Sequence, residues 1–114
     1  MEVNWGVGMN MLYAVLTTTD SEEIAERITR TLLEKRLAAC IQRTKITSSY
    51  WWKGKIEESK EVLLIIKTSS EKYPELEREI KKIHNYTVPE IVALELKEIQ
   101  EDYENWLLET LSQK

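Results

Sequence analysis

The segment His84-Asn85-Tyr86-Thr87-Val88-Pro89-Glu90 gathers an imidazole, a phenol and a carboxylate within seven residues, and His84 is the only histidine in the chain. Imidazole binds transition metals and titrates near neutral pH. Mixed nitrogen and oxygen donors suit Cu²⁺ or Zn²⁺, so His84, Tyr86 and Glu90 form a candidate metal set, with Pro89 fixing the backbone between them. One imidazole does not hold such an ion alone. The competing reading is a charged His84 at a helix end, interacting with the last carbonyls. Cys40, the only cysteine, is a softer ligand, but it follows Ala38-Ala39 at the start of an apolar strand, where core packing is the stronger expectation.

Other chemistries are excluded more simply. The chain shows no nucleophile with a neighbouring base and no paired carboxylates, and its three glycines leave no room for a phosphate-binding loop. The expectation is a protein that is not an enzyme and has no obligatory cofactor. A net charge of −4 disfavours a nucleic-acid partner. One cysteine allows neither an intrachain disulfide nor a C-x-x-C site and fits a reducing compartment, so the chain reads as cytoplasmic. No apolar run approaches the roughly 20 residues that span a bilayer, so no membrane partner is expected. Residues 1–10 lack a secretory pattern and read as a poorly ordered arm, with Met9 or Met11 a plausible alternative start. Residues 11–114 read as one domain, with 42% apolar residues in the chain for one core.

The elements that must position these groups follow from periodicity. Residues 11–18 are an apolar run with the profile of a strand. Asp20 with Glu23 then suggests a capping box, and Ile24, Ile28 and Leu32 form one stripe of a helix over 21–35. Residues 37–52 are rich in β-branched and aromatic types. Lys53-Gly54 supplies a turn, and 55–68 returns as a second arm. Ser70 or a neighbour caps a second helix, with Pro74 in its first turn and Tyr73, Leu76, Ile80 and Ile83 on its buried side. Val92, Leu94 and Leu96 alternate with Ala93, Glu95 and Lys97, which predicts a strand over 91–98 with one wet face. Asp102 caps a last helix carrying Tyr103, Trp106, Leu107 and Leu111. The order is β-α-β-β-α-β plus a terminal helix, an α+β ferredoxin-like plan with an antiparallel sheet. An RNA-recognition module shares this order, but its aromatic third-strand signature is absent, since residues 60–67 are aliphatic.

The hairpin between the second and third strands is too long for one subunit. Each arm runs about 14 residues, roughly 45 Å at about 3.3 Å per residue, whereas a compact chain of this size is about 35 Å across. Its tip carries Tyr50, Trp51 and Trp52. Three such rings exposed together reach the largest apolar patch a monomer normally tolerates, so they mark an interface between copies. Tyr50, Trp52, Lys67, Tyr86 and Glu90 then make a candidate pocket between subunits, its rings as walls and Lys67 and Glu90 as polar anchors. Alternatively, Lys67 and Glu90 form ion pairs across that interface.

Five segments in order carry a resemblance. They are Leu33-Glu34-Lys35-Arg36-Leu37-Ala38-Ala39-Cys40, Tyr50-Trp51-Trp52-Lys53-Gly54-Lys55, Glu61 before an apolar arm ending in Lys67-Thr68, His84-x-Tyr86-x-x-Pro89-Glu90, and Tyr103-x-x-Trp106-Leu107. Over residues 11–111 the chain resembles the divalent-cation tolerance proteins of the CutA family. The resemblance implies a ferredoxin-like subunit in a homotrimer, similar to the PII signalling proteins, in which long hairpins join sheets between subunits. It implies a role in tolerance of copper and other divalent ions, with weak metal binding at His84; the alternative is a PII-like sensor or scaffold whose cleft holds a small molecule. Asn85 stands where the family commonly has proline. Thr17 and Ile83 stand where a bacterial member has a cysteine and a second histidine as copper ligands.

Overall fold

The computed structural model describes residues 11–113; the expected arm, residues 1–10, lies outside them. Seven elements follow in order: β1 (Leu12–Thr19), α1 (Glu22–Glu34), β2 (Cys40–Trp52), β3 (Lys55–Ser69), α2 (Tyr73–Ile83), β4 (Ile91–Glu95) and α3 (Glu101–Ser112). The four strands form one sheet in the order β2-β3-β1-β4, and every neighbouring pair is antiparallel. The α+β architecture expected from the periodicity is present, with the terminal helix added to it.

The core lies between one sheet face and the two central helices. Ala25, Ile28 and Leu32 of α1 and Leu76 and Ile80 of α2 pack on Val15, Val62, Leu64 and Ile66. These helix positions are spaced three and four apart, which puts them on one stripe. A smaller cluster of Leu12, Ala39, Leu107 and Leu111 seats α3 at one end of the opposite sheet face.

Three caps differ from expectation. Ser21, not Asp20, caps α1, its hydroxyl accepting from the Ile24 N–H at 3.1 Å. Gln100, not Asp102, caps α3, its side chain accepting from the Tyr103 N–H at 2.9 Å. At α2 the N-cap is Lys72, whose ammonium has no acceptor to offer a first-turn N–H, so no side-chain bond caps the helix. The last strand is shorter than predicted and its parity is inverted. Ile91 and Ala93 pack on the core, while Val92 and Leu94 are 45% and 50% exposed on the open face.

The hairpin projects. At the turn, Lys53 and Gly54 both have positive φ, 53° and 79°, as a two-residue loop between twisted strands requires. β1 pairs with β3 only as far as Thr19↔Val62, whereas β2 follows β3 to Trp52↔Lys55. Residues 55–61 of β3 therefore have a strand on one side only, an overhang of roughly 23 Å. The described chain measures 51 × 25 × 22 Å with a radius of gyration of 15.3 Å, against about 13 Å for a compact chain of this length.

Candidate functional site

The loop after α2 is built around His84. Its backbone N–H still donates to the Ile80 carbonyl at 2.8 Å, but its φ and ψ of −61° and 145° end the helix. The ring then reaches sideways. Nε2 lies 2.7 Å from the Thr18 carbonyl oxygen, and Nδ1 accepts the Tyr86 N–H at 3.0 Å. A carbonyl only accepts and an N–H only donates, so the neutral tautomer with its proton on Nε2 satisfies both bonds. His84 stands at the helix end, as its competing reading had it, but its ring serves a strand carbonyl rather than the helix's own last carbonyls.

The next two residues continue the clasp. Asn85 accepts from the Thr19 hydroxyl at 2.7 Å and donates to Asp20 at 2.8 Å. Tyr86 packs on His84, with ring centroids 4.8 Å apart, and sends its hydroxyl to Glu61 Oε2 at 2.6 Å. The Ser48 hydroxyl donates to the other oxygen of Glu61, also at 2.6 Å. Glu61 is only 8% exposed. Burial, and then the donation to Glu61, push the Tyr86 phenol well above its ordinary value.

These contacts shape a cleft of about 630 Å³ between the overhanging hairpin and the loop, walled by Tyr50, Trp52 and Tyr86 with Glu61, Glu90 and Val88. Strand alternation explains the set: Ser48, Tyr50 and Trp52 share one face of β2, and Glu61 opposes Ile46 on that same face of β3. The Tyr50 hydroxyl is 2.9 Å from Ser59 Oγ, and the Lys53 ammonium lies 5.8 Å from the centre of the Trp52 ring. No lysine, arginine or histidine lines the cleft.

Within the single chain, Tyr50, Trp52, Tyr86 and Glu90 of the pocket expected between subunits come together, and Lys67 of the same chain does not join them. Lys67 lies six residues along β3 from Glu61, roughly 20 Å away, where it meets Gln42 at 3.3 Å and the Tyr103 hydroxyl at 3.5 Å beside α3. His84 does not line the cleft either, although Tyr86 and Glu90 do. Among the described residues, no three His, Cys, Asp or Glu side chains converge as a metal-ligand group. Cys40 is half-buried rather than in the core, paired with Lys67 on the open sheet face. The Thr17 hydroxyl is buried with no hydrogen-bond partner.

Glu61 is the residue that sequence reasoning missed as part of the site. The available signal was an acidic residue directly before the run Val62-Leu63-Leu64-Ile65-Ile66. A carboxylate that opens the buried stretch of a strand is itself drawn toward burial and requires hydrogen-bond donors there.

Comparison with known proteins agrees with this architecture. The CutA1 divalent ion tolerance protein family matches residues 13–110. The divalent-cation tolerance protein CutA of Thermus thermophilus is 46% identical over 96 residues, covering 83% of this chain and 93% of that protein. Its counterpart in Pyrococcus horikoshii is 44% identical over 95 residues, with the same two coverages of 83% and 93%. The solved structure of the periplasmic divalent cation tolerance protein CutA from Archaeoglobus fulgidus superimposes with a TM-score of 0.86 at 42% identity, over 90% of this chain and all of that one. On the sequence match and the superposition together, this chain belongs to the CutA1 divalent ion tolerance family.

Proposed function

We propose that this chain acts in divalent-cation tolerance as a homotrimer that holds Cu²⁺ or another divalent ion weakly at the His84–Glu90 loop. The observation that carries the weakness is the state of His84, whose two ring nitrogens are both engaged. A metal must displace either the Tyr86 N–H or the Thr18 carbonyl to reach the imidazole. At about 1 kcal/mol net for such a bond, this lowers affinity roughly fivefold before any other ligand is counted. Tyr86 and Glu90 complete the set only if the ring turns toward the cleft they line. Calorimetric titration with Cu²⁺ and Zn²⁺ on the wild type and His84→Ala tests this. Weak binding that disappears in the variant is expected; equal affinity in both removes His84 as a ligand.

Self-association is supported by what the chain leaves uncovered. Trp51 and Ile56 face each other across the hairpin and are 72% and 69% exposed. Val92 and Leu94 lie uncovered at the far edge of the sheet. Tyr50, Trp51 and Trp52 make the tip of the ribbon that a second copy covers. Apolar surface on this scale is typical of an interface rather than of a monomer, and burial of the unpaired edge of β3 removes a site of uncontrolled pairing. Sedimentation equilibrium should give three times the 13.5 kDa chain mass. A well-folded single chain at low concentration would refute the assembly.

A further inference from the structure

We propose that Asn85 is the positioning residue of the His84 loop: anchored on Thr19 and Asp20, it holds the Tyr86 N–H against His84 Nδ1 and so keeps the imidazole lone pair closed to incoming ligands. The anchor begins in the sheet. Thr19 is fully buried and paired with Val62 of β3, so its hydroxyl is a fixed post. That oxygen accepts the Ser21 N–H at 3.2 Å and gives its own proton to Asn85 Oδ1 at 2.7 Å.

An amide is the group this position requires. A carboxylate only accepts and the Thr19 proton needs an acceptor, so the side chain between Asp20 and Thr19 must donate and accept at once. Asn85 does both, its Nδ2 donating to Asp20 at 2.8 Å. Ser21 caps α1, so the loop after α2 is tied to the start of α1. Thr18 supplies a parallel tie, its carbonyl oxygen 2.7 Å from His84 Nε2. Two neighbouring positions of the loop are thus gripped side by side by the end of β1.

The consequence lies one peptide further along. The Tyr86 N–H belongs to the peptide on the carboxyl side of Asn85, so whatever fixes Asn85 also fixes that donor, which sits 3.0 Å from Nδ1. With the ring proton on Nε2, Nδ1 carries the one available lone pair of the imidazole, and the N–H occupies it. The closure is kept by an amide side chain that does not bond to the imidazole itself. The Tyr86 hydroxyl remains on Glu61 at 2.6 Å, so the loop keeps its seat when the anchor is lost. Loss of Asn85 therefore costs local stability yet opens His84. A merely structural residue would give the first effect without the second. The inference rests on the proposed metal reading only where a metal is the probe.

The test exploits His84 being the only histidine. Diethyl pyrocarbonate transfers its ethoxycarbonyl group to an imidazole nitrogen with a free lone pair, and mass spectrometry of the His84 peptide reads the product. The reaction is run on the full chain with a chelator present, at a mildly alkaline pH where an ordinary imidazole is neutral. Asn85→Ala and Thr19→Val should each raise the rate roughly fivefold, the factor for one net hydrogen bond. Thr19→Val keeps the shape of the buried side chain and guards against a misfolded Asn85 variant. The double variant should react no faster than the faster single one, because both changes break one link. Hydrogen exchange of the Tyr86 amide should quicken by a similar factor. With Cu²⁺ in place of the chelator, affinity should rise in the same variants. Unchanged or slower carbethoxylation in both single variants, effects that multiply in the double one, or weaker His84-dependent Cu²⁺ binding would overturn the proposal. If the rates rise but no Cu²⁺ binding depends on His84, the metal reading fails and the positioning role stands.

Discussion

The two faces of the sheet differ in who covers them. Toward α1 and α2, Val15, Leu64, Ile66, Leu76 and Ile80 are fully buried. On the other face, Leu16, Leu63 and Ile65 are half-buried and Val92 and Leu94 are exposed, because only α3 is present and it covers one end. Yet Val62-Leu63-Leu64-Ile65-Ile66 is apolar without alternation. A strand wet on one side alternates, and one buried on both sides does not. The strands thus carry the composition of a two-sided core, of which this chain supplies one side. The difference teaches where to look for function: groups on the helix-covered face serve the fold, and groups on the open face await something else.

The largest expected effect separates these roles. Leu64→Ala, on the covered face and fully buried, should cost about 2–5 kcal/mol in denaturant unfolding. Its neighbour Ile65 is half-buried in the single chain on the open face, so under the proposed assembly Ile65→Ala should lose stability that depends on protein concentration. If both variants lose the same amount at every concentration, the faces are equivalent and the comparison fails. Next in size is Leu94→Glu. A carboxylate in the proposed apolar interface should weaken association by roughly tenfold or more, about 1.4 kcal/mol or greater. The sedimenting mass should fall while far-UV circular dichroism of the subunit stays the same.

Much of this could be read from residue order, and what could not depended on register. The helices were legible because their stripes repeat every three to four residues, and the hairpin because two β-rich arms flank Lys53-Gly54. The parity of β4 was not legible. Val92, Leu94 and Leu96 look like the inward set by hydrophobicity alone, but α1 and α2 lie over Ile91 and Ala93. The stronger apolar set of β4 faces outward because it belongs to the uncovered face. At α1, Asp20 and Ser21 are adjacent and both precede acidic residues, so composition could not choose between them. The site loop was legible as a cluster of His84, Tyr86 and Glu90. That Tyr86 reaches Glu61, 25 residues away in sequence, while Lys67 falls at the opposite end of β3, follows from how β3 pairs with β1. No local pattern encodes that pairing.

Tyr86→Phe sharpens the comparison between the two buried carboxylates, Glu61 and Glu79. Removing the hydroxyl leaves one oxygen of Glu61 without its donor, which should cost about 1–3 kcal/mol. The pH dependence follows from the raised phenol. A folded-state value above the unfolded one means that the folded chain holds the proton more tightly. The resulting stability is complete below the unfolded value of about 10 and is lost as pH climbs from there toward the folded value. Wild-type stability should therefore fall at alkaline pH in a window that the Phe variant lacks. Identical alkaline profiles would place the Tyr86 hydroxyl in water rather than on Glu61.

Glu79→Gln gives the smallest effect and the opposite sign. The Lys35 hydrogen bond first, with Lys82 beside it, holds the Glu79 carboxyl below its ordinary value. A lowered folded-state value means that the unfolded chain binds the proton more readily. The stabilisation is present above the unfolded value of about 4.3 and is lost as pH falls through the folded one. The variant should match the wild type in strongly acidic solution and be slightly less stable at neutral pH. Raised salt should shrink the difference, since Lys35 and Lys82 keep half or more of their side-chain surface in water. An acid profile unaffected by the substitution would mean that the two lysines do not neutralise Glu79. The contrast with Glu61 would then rest on geometry alone.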